Sequence, residues 1–127
     1  MRPILVVDDD PSIRDVVADI LEMSDYRVTT ASNGAEALDR IRVERPAAVL
    51  LDLMMPIMDG REFLERCRRR QACACLPVAL MSAAHDAASA ARRLGVQAYL
   101  TKPFEMDAVL AVVDRLAGEE VSWKGLN

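Results

Sequence analysis

Five polar residues of this 127-residue chain can do chemistry together if folding gathers them: Asp8, Asp9, Asp52, Ser82 and Lys102. Each stands at the end of a short apolar run. Ile4-Leu5-Val6-Val7 stops at Asp8-Asp9-Asp10, Ala48-Val49-Leu50-Leu51 at Asp52, and Val78-Ala79-Leu80-Met81 at Ser82, while Ala98-Tyr99-Leu100 runs out near Lys102-Pro103. Runs of this length bounded by punctuation read as buried strands, which puts the polar groups on strand tips. Two unit negative charges ~4 Å apart repel by about 4 kcal/mol at an effective dielectric of roughly 20, so three clustered carboxylates need a cation. Hard oxygen donors on an open rim suit Mg²⁺, which keeps several waters and commonly joins carboxylates to phosphate. Asp52 then reads as a nucleophile that accepts a phosphoryl group. That reaction needs in-line positioning and neutralised oxygens, which Mg²⁺, the Lys102 ammonium and the Ser82 hydroxyl can supply.

The elements that must position these groups are legible in the pattern. Asp10-Pro11 marks a helix start, with an N-cap acceptor followed by proline at the first helical position. Ile13, Val16, Val17, Ile20 and Leu21 follow as one apolar stripe. Tyr26 to Thr30 alternates like a half-exposed edge strand. Asn33 with Glu36, and Asp59 with Glu62, open a second and a third helix in capping arrangements, the first burying Leu38 and Ile41 and the second Phe63, Leu64 and Cys67. A fourth helix is expected from about His85 to Leu94, stopped by Gly95. Met106, Val109, Leu110, Val113 and Leu116 stripe a last helix ended by Gly118. Five alternations of apolar strand and helix predict an α/β fold: a doubly wound five-stranded parallel sheet of order 2-1-3-4-5 with five helices, flavodoxin-like. Residues 1–118 form the expected domain, and residues 119–127 a C-terminal tail or the start of a linker. In this order strands one and three meet at the topological switch point, where ligands bind beyond the carboxyl ends.

Composition excludes several classes. Hydrophobic residues are 52% of the chain, too many for disorder. No apolar run approaches the ~18 residues of a membrane span, and the start of the chain lacks the form of a signal peptide, so a cytoplasmic protein is expected. The net charge of −4 disfavours a general nucleic-acid surface. Arg66, Arg68, Arg69 and Arg70 read as a solvated basic helix end, favoured by the macrodipole, with no interleaved aromatic residue. Cys67, Cys73 and Cys75 are odd in number and irregularly spaced, which predicts reduced, mostly structural thiols rather than a disulfide framework or zinc site. His85 reads as solvated, and Met54, Met55 and Met58 as space-filling.

Four motifs in order, Val6-Val7-Asp8-Asp9-Asp10, Leu51-Asp52-Leu53-Met54-Met55-Pro56-Ile57-Met58-Asp59-Gly60, Met81-Ser82-Ala83 and Tyr99-Leu100-Thr101-Lys102-Pro103-Phe104, resemble the receiver domain of bacterial two-component response regulators. The resemblance spans residues 3 to about 118. It implies that Asp52 takes a phosphoryl group from a kinase histidine. It implies that Asp9, Asp52 and the Met54 carbonyl ligate Mg²⁺ directly, with Asp8 acting largely through water. Lys102 would pair with the phosphoryl group or the acidic cluster, and Lys102-Pro103 would be cis. Ser82 and Tyr99 resemble the switch pair, the hydroxyl moving to the phosphoryl oxygen and the ring turning inward to reshape the face of the fourth helix, fifth strand and fifth helix.

The partners so implied are a histidine kinase or phosphotransfer protein and a downstream effector protein or domain, without direct nucleic-acid or membrane binding. Catalysis would be limited to the domain's own phosphotransfer and slow autodephosphorylation, since Met54 and Ala84, beside the path of the attacking water, carry no polar group to orient it. Val96-Gln97-Ala98 before Tyr99, with Ala108 and Val112 on the last helix, lacks the charges of the winged-helix branch's symmetric dimer. A monomer or a weak phosphorylation-dependent dimer is expected. Three alternatives stay open: a receiver within a larger DNA-binding regulator or hybrid kinase, a Mg-dependent hydrolase with an aspartyl-phosphate intermediate, and a pseudo-receiver scaffold. The hydrolase family's acid needs an Asp two residues after the nucleophile, where this chain has Met54.

Overall fold

The computed structural model describes residues 2–73, 75–83 and 87–125, the last seven of these and Ala72 by backbone alone. Continuous apolar runs build the strands because both sheet faces are covered. β1 (Ile4–Val7), β2 (Val28–Ala31), β3 (Ala48–Asp52), β4 (Val78–Ala83) and β5 (Ala98–Lys102) pair in parallel in the order β2-β1-β3-β4-β5. Each of the first four strands leads through a helix to the next, by α1 (Pro11–Met23), α2 (Gly34–Val43), α3 (Gly60–Arg69) and α4 (Ala87–Leu94), and α5 (Met106–Gly125) follows β5. A 3₁₀ turn, Gln71–Cys73, follows α3.

Strand alternation sends Leu5, Val7, Val49, Leu51 and Val78 to one face, where they pack with Phe63, Leu64 and Cys67 of α3 and Leu38 and Ile41 of α2. Ile4, Val6, Leu50, Ala79 and Met81 point the other way, onto Val17, Ile20 and Leu21 of α1 and Val109, Val113 and Leu116 of α5. Each fully buried aliphatic or aromatic side chain contributes roughly 1.5–3 kcal/mol, so the two cores carry the rigidity of the strand tips. Register fixes where those tips end: Val7 pairs with Leu51, and Ser82 with Thr101, so the polar residues that follow share one rim.

The capped helix starts form as expected. Asp10 accepts from Ser12 N at 2.9 Å, Asn33 from Glu36 N at 2.9 Å and Asp59 from Glu62 N at 2.9 Å. Glu36 does not close a reciprocal box; its carboxylate accepts from the Ser32 hydroxyl at 3.1 Å. Gly95, at φ +68°, ends α4 in the left-handed region as a C-cap glycine does.

Several expectations need correction. β2 begins at Val28 rather than Tyr26, because Asp25 turns the chain at φ 69° and the Tyr26 N–H bonds back to Leu21 O, closing α1. Val16 and Met106 flank their stripes and are exposed. α5 does not stop at Gly118 but continues to Gly125: an interior glycine weakens a helix by about 1 kcal/mol without ending it, and no left-handed turn or proline follows. Cys67 and Cys73 are not separate thiols; the chain folds back after α3, brings their Cα atoms to 5.2 Å and bonds the sulfurs. The expected helix start at His85, and Ala84, expected to flank the path of the attacking water, lie outside the described residues.

Candidate functional site

The acidic cluster forms at the tips of β1 and β3. Asp8 follows β1 and is fully buried; Asp52 closes β3 and is 6% exposed; Asp9 is exposed. One carboxylate oxygen from each lies within 4.8 Å of the others, close enough for a single cation to bind all three. The donor set is hard oxygen throughout, which fits a divalent cation of the Mg²⁺ or Ca²⁺ type.

The neighbouring β5 tip supplies the counter-charge. Lys102 Nζ donates to Asp8 Oδ2 at 2.8 Å and lies 3.4 Å from Asp52 Oδ1, bridging carboxylates separated by 44 residues in sequence. The half-buried ammonium is attached just before a cis peptide, Lys102-Pro103. Burial alone would lower the Lys102 pKa, but the hydrogen bond it donates to Asp8 and the charges of Asp52 and Asp8 outweigh it, and the net shift is upward. Asp52 moves the other way from an ordinary exposed carboxylate: burial first, then the charge of Asp8, push it from 3.8 to about 6. Lys102 and a hydrogen bond from the Met54 backbone hold back part of that rise. Asp52 is therefore held in a site that disfavours its charge until a cation compensates it.

The backbone around the cluster is equally specific. Asp8 Oδ1 accepts from Asp10 N at 2.9 Å, so the residue that caps α1 also orients the buried carboxylate. Arg14 Nη1 donates to the Asp8 carbonyl at 2.7 Å from the second turn of α1. Gly60 N donates to Leu53 O at 3.0 Å, and a Cβ at Gly60 would stand 2.5 Å from the Asp52 carbonyl oxygen. The start of α3 is thus pressed against the backbone of the nucleophile candidate, and only glycine permits that approach. Sequence reasoning missed Arg14 and Gly60 as site residues. Arg14 lies in an ordinary polar face and carries no signal; the Asp59-Gly60 pair was visible, but as turn punctuation.

The remaining expected residues are nearby but not in the cluster. Ser82, the next-to-last residue of β4, donates its hydroxyl to the Ala83 carbonyl at 3.2 Å. Tyr99, opposite Leu80 in the ladder, is 46% exposed on the edge strand β5. Met54 contributes its backbone N–H to Asp52, while its side chain is 80% exposed. Among the described residues, no helix is long and apolar enough to cross a membrane.

Comparison with known proteins places this arrangement. The chain is 36% identical over 120 residues to response regulator Rre1 of Synechocystis sp., a match covering 92% of the chain and 52% of that protein. It is 41% identical over 112 residues to the DNA-binding transcriptional regulator NtrC of Escherichia coli, covering 87% of the chain and 24% of that protein. The chain therefore spans from about half to about a quarter of these curated relatives. Among solved structures, chemotaxis protein CheY4 of Vibrio cholerae superposes with a TM-score of 0.83 at 30% identity, covering 91% of this chain and 98% of that one. The receiver domain of NtrX from Brucella abortus superposes with a TM-score of 0.82 at 33% identity, with the same two coverages. Residues 4–114 match the model of the response regulator receiver domain, and the chain belongs to that family of two-component signalling domains.

Proposed function

We propose that Asp52 is the phosphoacceptor of a Mg²⁺-dependent switch, written by a histidine kinase or phosphotransfer protein and read by a downstream effector protein or attached domain. The observation that carries this reading is the single Lys102 ammonium spanning Asp8 and Asp52 above a cluster whose third member, Asp9, is open to solvent. Asp8, Asp9 and Asp52 would hold the cation, joined by the Met54 carbonyl. When bound, Mg²⁺ neutralises the carboxylates and the oxygens of the incoming phosphoryl group.

The rest follows from this chain's own groups. An Asp52 oxygen attacks phosphorus, the bond to the donor's histidine nitrogen breaks, and an acyl phosphate forms. Lys102 loses part of its claim on Asp52 as the carboxylate is esterified and can turn to the phosphoryl oxygens, keeping its bond to Asp8. The rigid tips of β1 and β3 keep acceptor and acidic cluster in register, which is the positioning that phosphoryl transfer requires. Ser82, whose hydroxyl among the described residues donates to the adjacent carbonyl, would turn to a phosphoryl oxygen, and the exposed Tyr99 ring would follow inward. That motion would reshape the face of α4, β5 and α5. The domain would act in the cytoplasm, catalysing only its own phosphotransfer and a slow autodephosphorylation, as a monomer or weak phosphorylation-dependent dimer that does not itself bind nucleic acid.

Incubation with Mg²⁺ and acetyl phosphate, read by intact mass, tests the assignment. The expected result is one phosphoryl adduct, lost on chelation of the metal and in Asp52→Asn. An adduct that survives that substitution would place the acceptor elsewhere. Rapid turnover of free phosphate esters would instead support a hydrolase.

A further inference from the structure

The sulfur cluster at the far end of α3 is used by none of this chemistry. Cys67 lies in the last turn of α3 and Cys73 in the 3₁₀ turn that follows, and the two disulfide-bonded residues are 3% and 4% exposed. Their Cα separation of 5.2 Å is within the ordinary range for a disulfide. Cys75, two residues on, is a free and exposed thiol. Its φ of 65° turns the chain there, and with Cys67 it lines a cavity of about 110 Å³ walled by Leu64, Leu76 and Val78. Two sulfurs are thus shielded from a dissolved reagent, while a third faces solvent and shares a cavity with one of them.

We infer that Cys67, Cys73 and Cys75 form a thiol–disulfide exchange site that takes a low-molecular-weight disulfide through Cys75 and stores the oxidation as the buried Cys67–Cys73 bond. Starting from three thiols, the Cys75 thiolate attacks the small disulfide RSSR, forming a mixed disulfide and releasing one RSH. The Cys67 thiolate attacks the Cys75 sulfur across the shared cavity, releasing the second RSH. The Cys73 thiolate then attacks Cys67, restoring Cys75 as a thiol. The net change is two protein thiols oxidised to one disulfide and RSSR reduced to two RSH, and a dithiol reductant reverses it.

The bond reaches the domain's other helices through one residue. Arg68, next to Cys67, donates from Nη2 to the carbonyls of Leu94 and Gly95, the last turn of α4. A cation on those carbonyls stabilises the helix end, and the disulfide anchors the backbone that carries it. Any effect on signalling rests on the function proposed above, because α4 belongs to the face assigned there to partners; the exchange site itself does not.

Protein reduced with dithiothreitol, freed of it and treated with oxidised glutathione tests the site by alkylating the remaining thiols and weighing the intact chain. The expected count falls from three labels to one, with Cys75 the labelled residue. Cys75→Ser should reach the same Cys67–Cys73 bond about ten-fold more slowly, because the entry sulfur is gone. Cys73→Ser should stop at a Cys67–Cys75 bond, identified by peptide mapping. Three labels persisting in the wild type, or Cys75→Ser oxidising at the wild-type rate, would overturn the inference. Loss of the Asp52 adduct with the thiol behaviour intact would overturn only the function proposed above. Amide exchange over residues 92–96 should be slower in the oxidised protein, and equal exchange in both forms would remove the link to α4.

Discussion

Lys102 stands between two carboxylates that would otherwise repel each other in a site largely shut off from water. Replacing it by methionine leaves Asp8 buried without its partner. Removing one member of a buried pair costs about 3–5 kcal/mol, and about 1–3 kcal/mol is expected here because the Lys102 side chain keeps 18% of its surface in solvent. Added Mg²⁺ should restore part of that loss in Lys102→Met, a cation taking the place of the ammonium; denaturant midpoints with and without the metal check this. Asp52 gives the site a defined pH dependence. Its folded pKa is raised, from 3.8 to about 6. Stability tied to its neutral form is therefore fully present below about pH 4 and lost as pH rises through about 6. Metal-free protein should gain on the order of 1–3 kcal/mol from this group between pH 7 and pH 4, and Asp52→Asn should flatten that slope in denaturant titrations at a series of pH values.

At the scale of elements, the site depends on how helices begin. Asp10 both caps α1 and lends its N–H to Asp8, so Asp10→Ala should cost about 1 kcal/mol of stability by thermal melting, the typical loss of an N-cap. Gly60→Ala should cost more, about 1–3 kcal/mol, since a methyl group must fit 2.5 Å from the Asp52 carbonyl oxygen; it should also lower the yield of the phosphoryl adduct by displacing β3's tip. The strands and the helix caps were legible because each rests on local rules: a short apolar run, an acceptor at the N-cap, a glycine at the C-cap. The elements misjudged are those where local rules are silent or weak. The start of β2 was set by a hydrogen bond returning to α1, and the length of α5 by the absence of any stop signal after an interior glycine.

For the molecule as a whole, two cores on opposite faces of one sheet make the strand tips a fixed platform. Phe63 is fully buried against β1 and β3 in one of them, and Phe63→Ala should lower unfolding free energy by about 3–5 kcal/mol in denaturant titration. Parallel pairing of β1 with β3 and of β4 with β5 delivers the acidic cluster, Ser82 and Lys102 to one edge. Cys67 sits near the opposite end of α3, with Cys73 and Cys75 in the turn beyond it, so one helix carries the acidic site's glycine at its start and one half of a disulfide near its end.

The order of strands, the candidate residues Asp8, Asp9, Asp52, Ser82 and Lys102, and the family itself were readable from the chain alone. Alternation, capping and motif spacing are one-dimensional, and the right-handed crossover rule converts them into a topology. Other features appeared only in three dimensions. The press of Gly60 on Asp52 and the hold of Arg14 on the Asp8 backbone involve residues masked in sequence by commoner roles. The Cys67–Cys73 bond was misread because cysteine counts record neither distance nor direction. It took the reversal of the chain after α3 to bring those two sulfurs together.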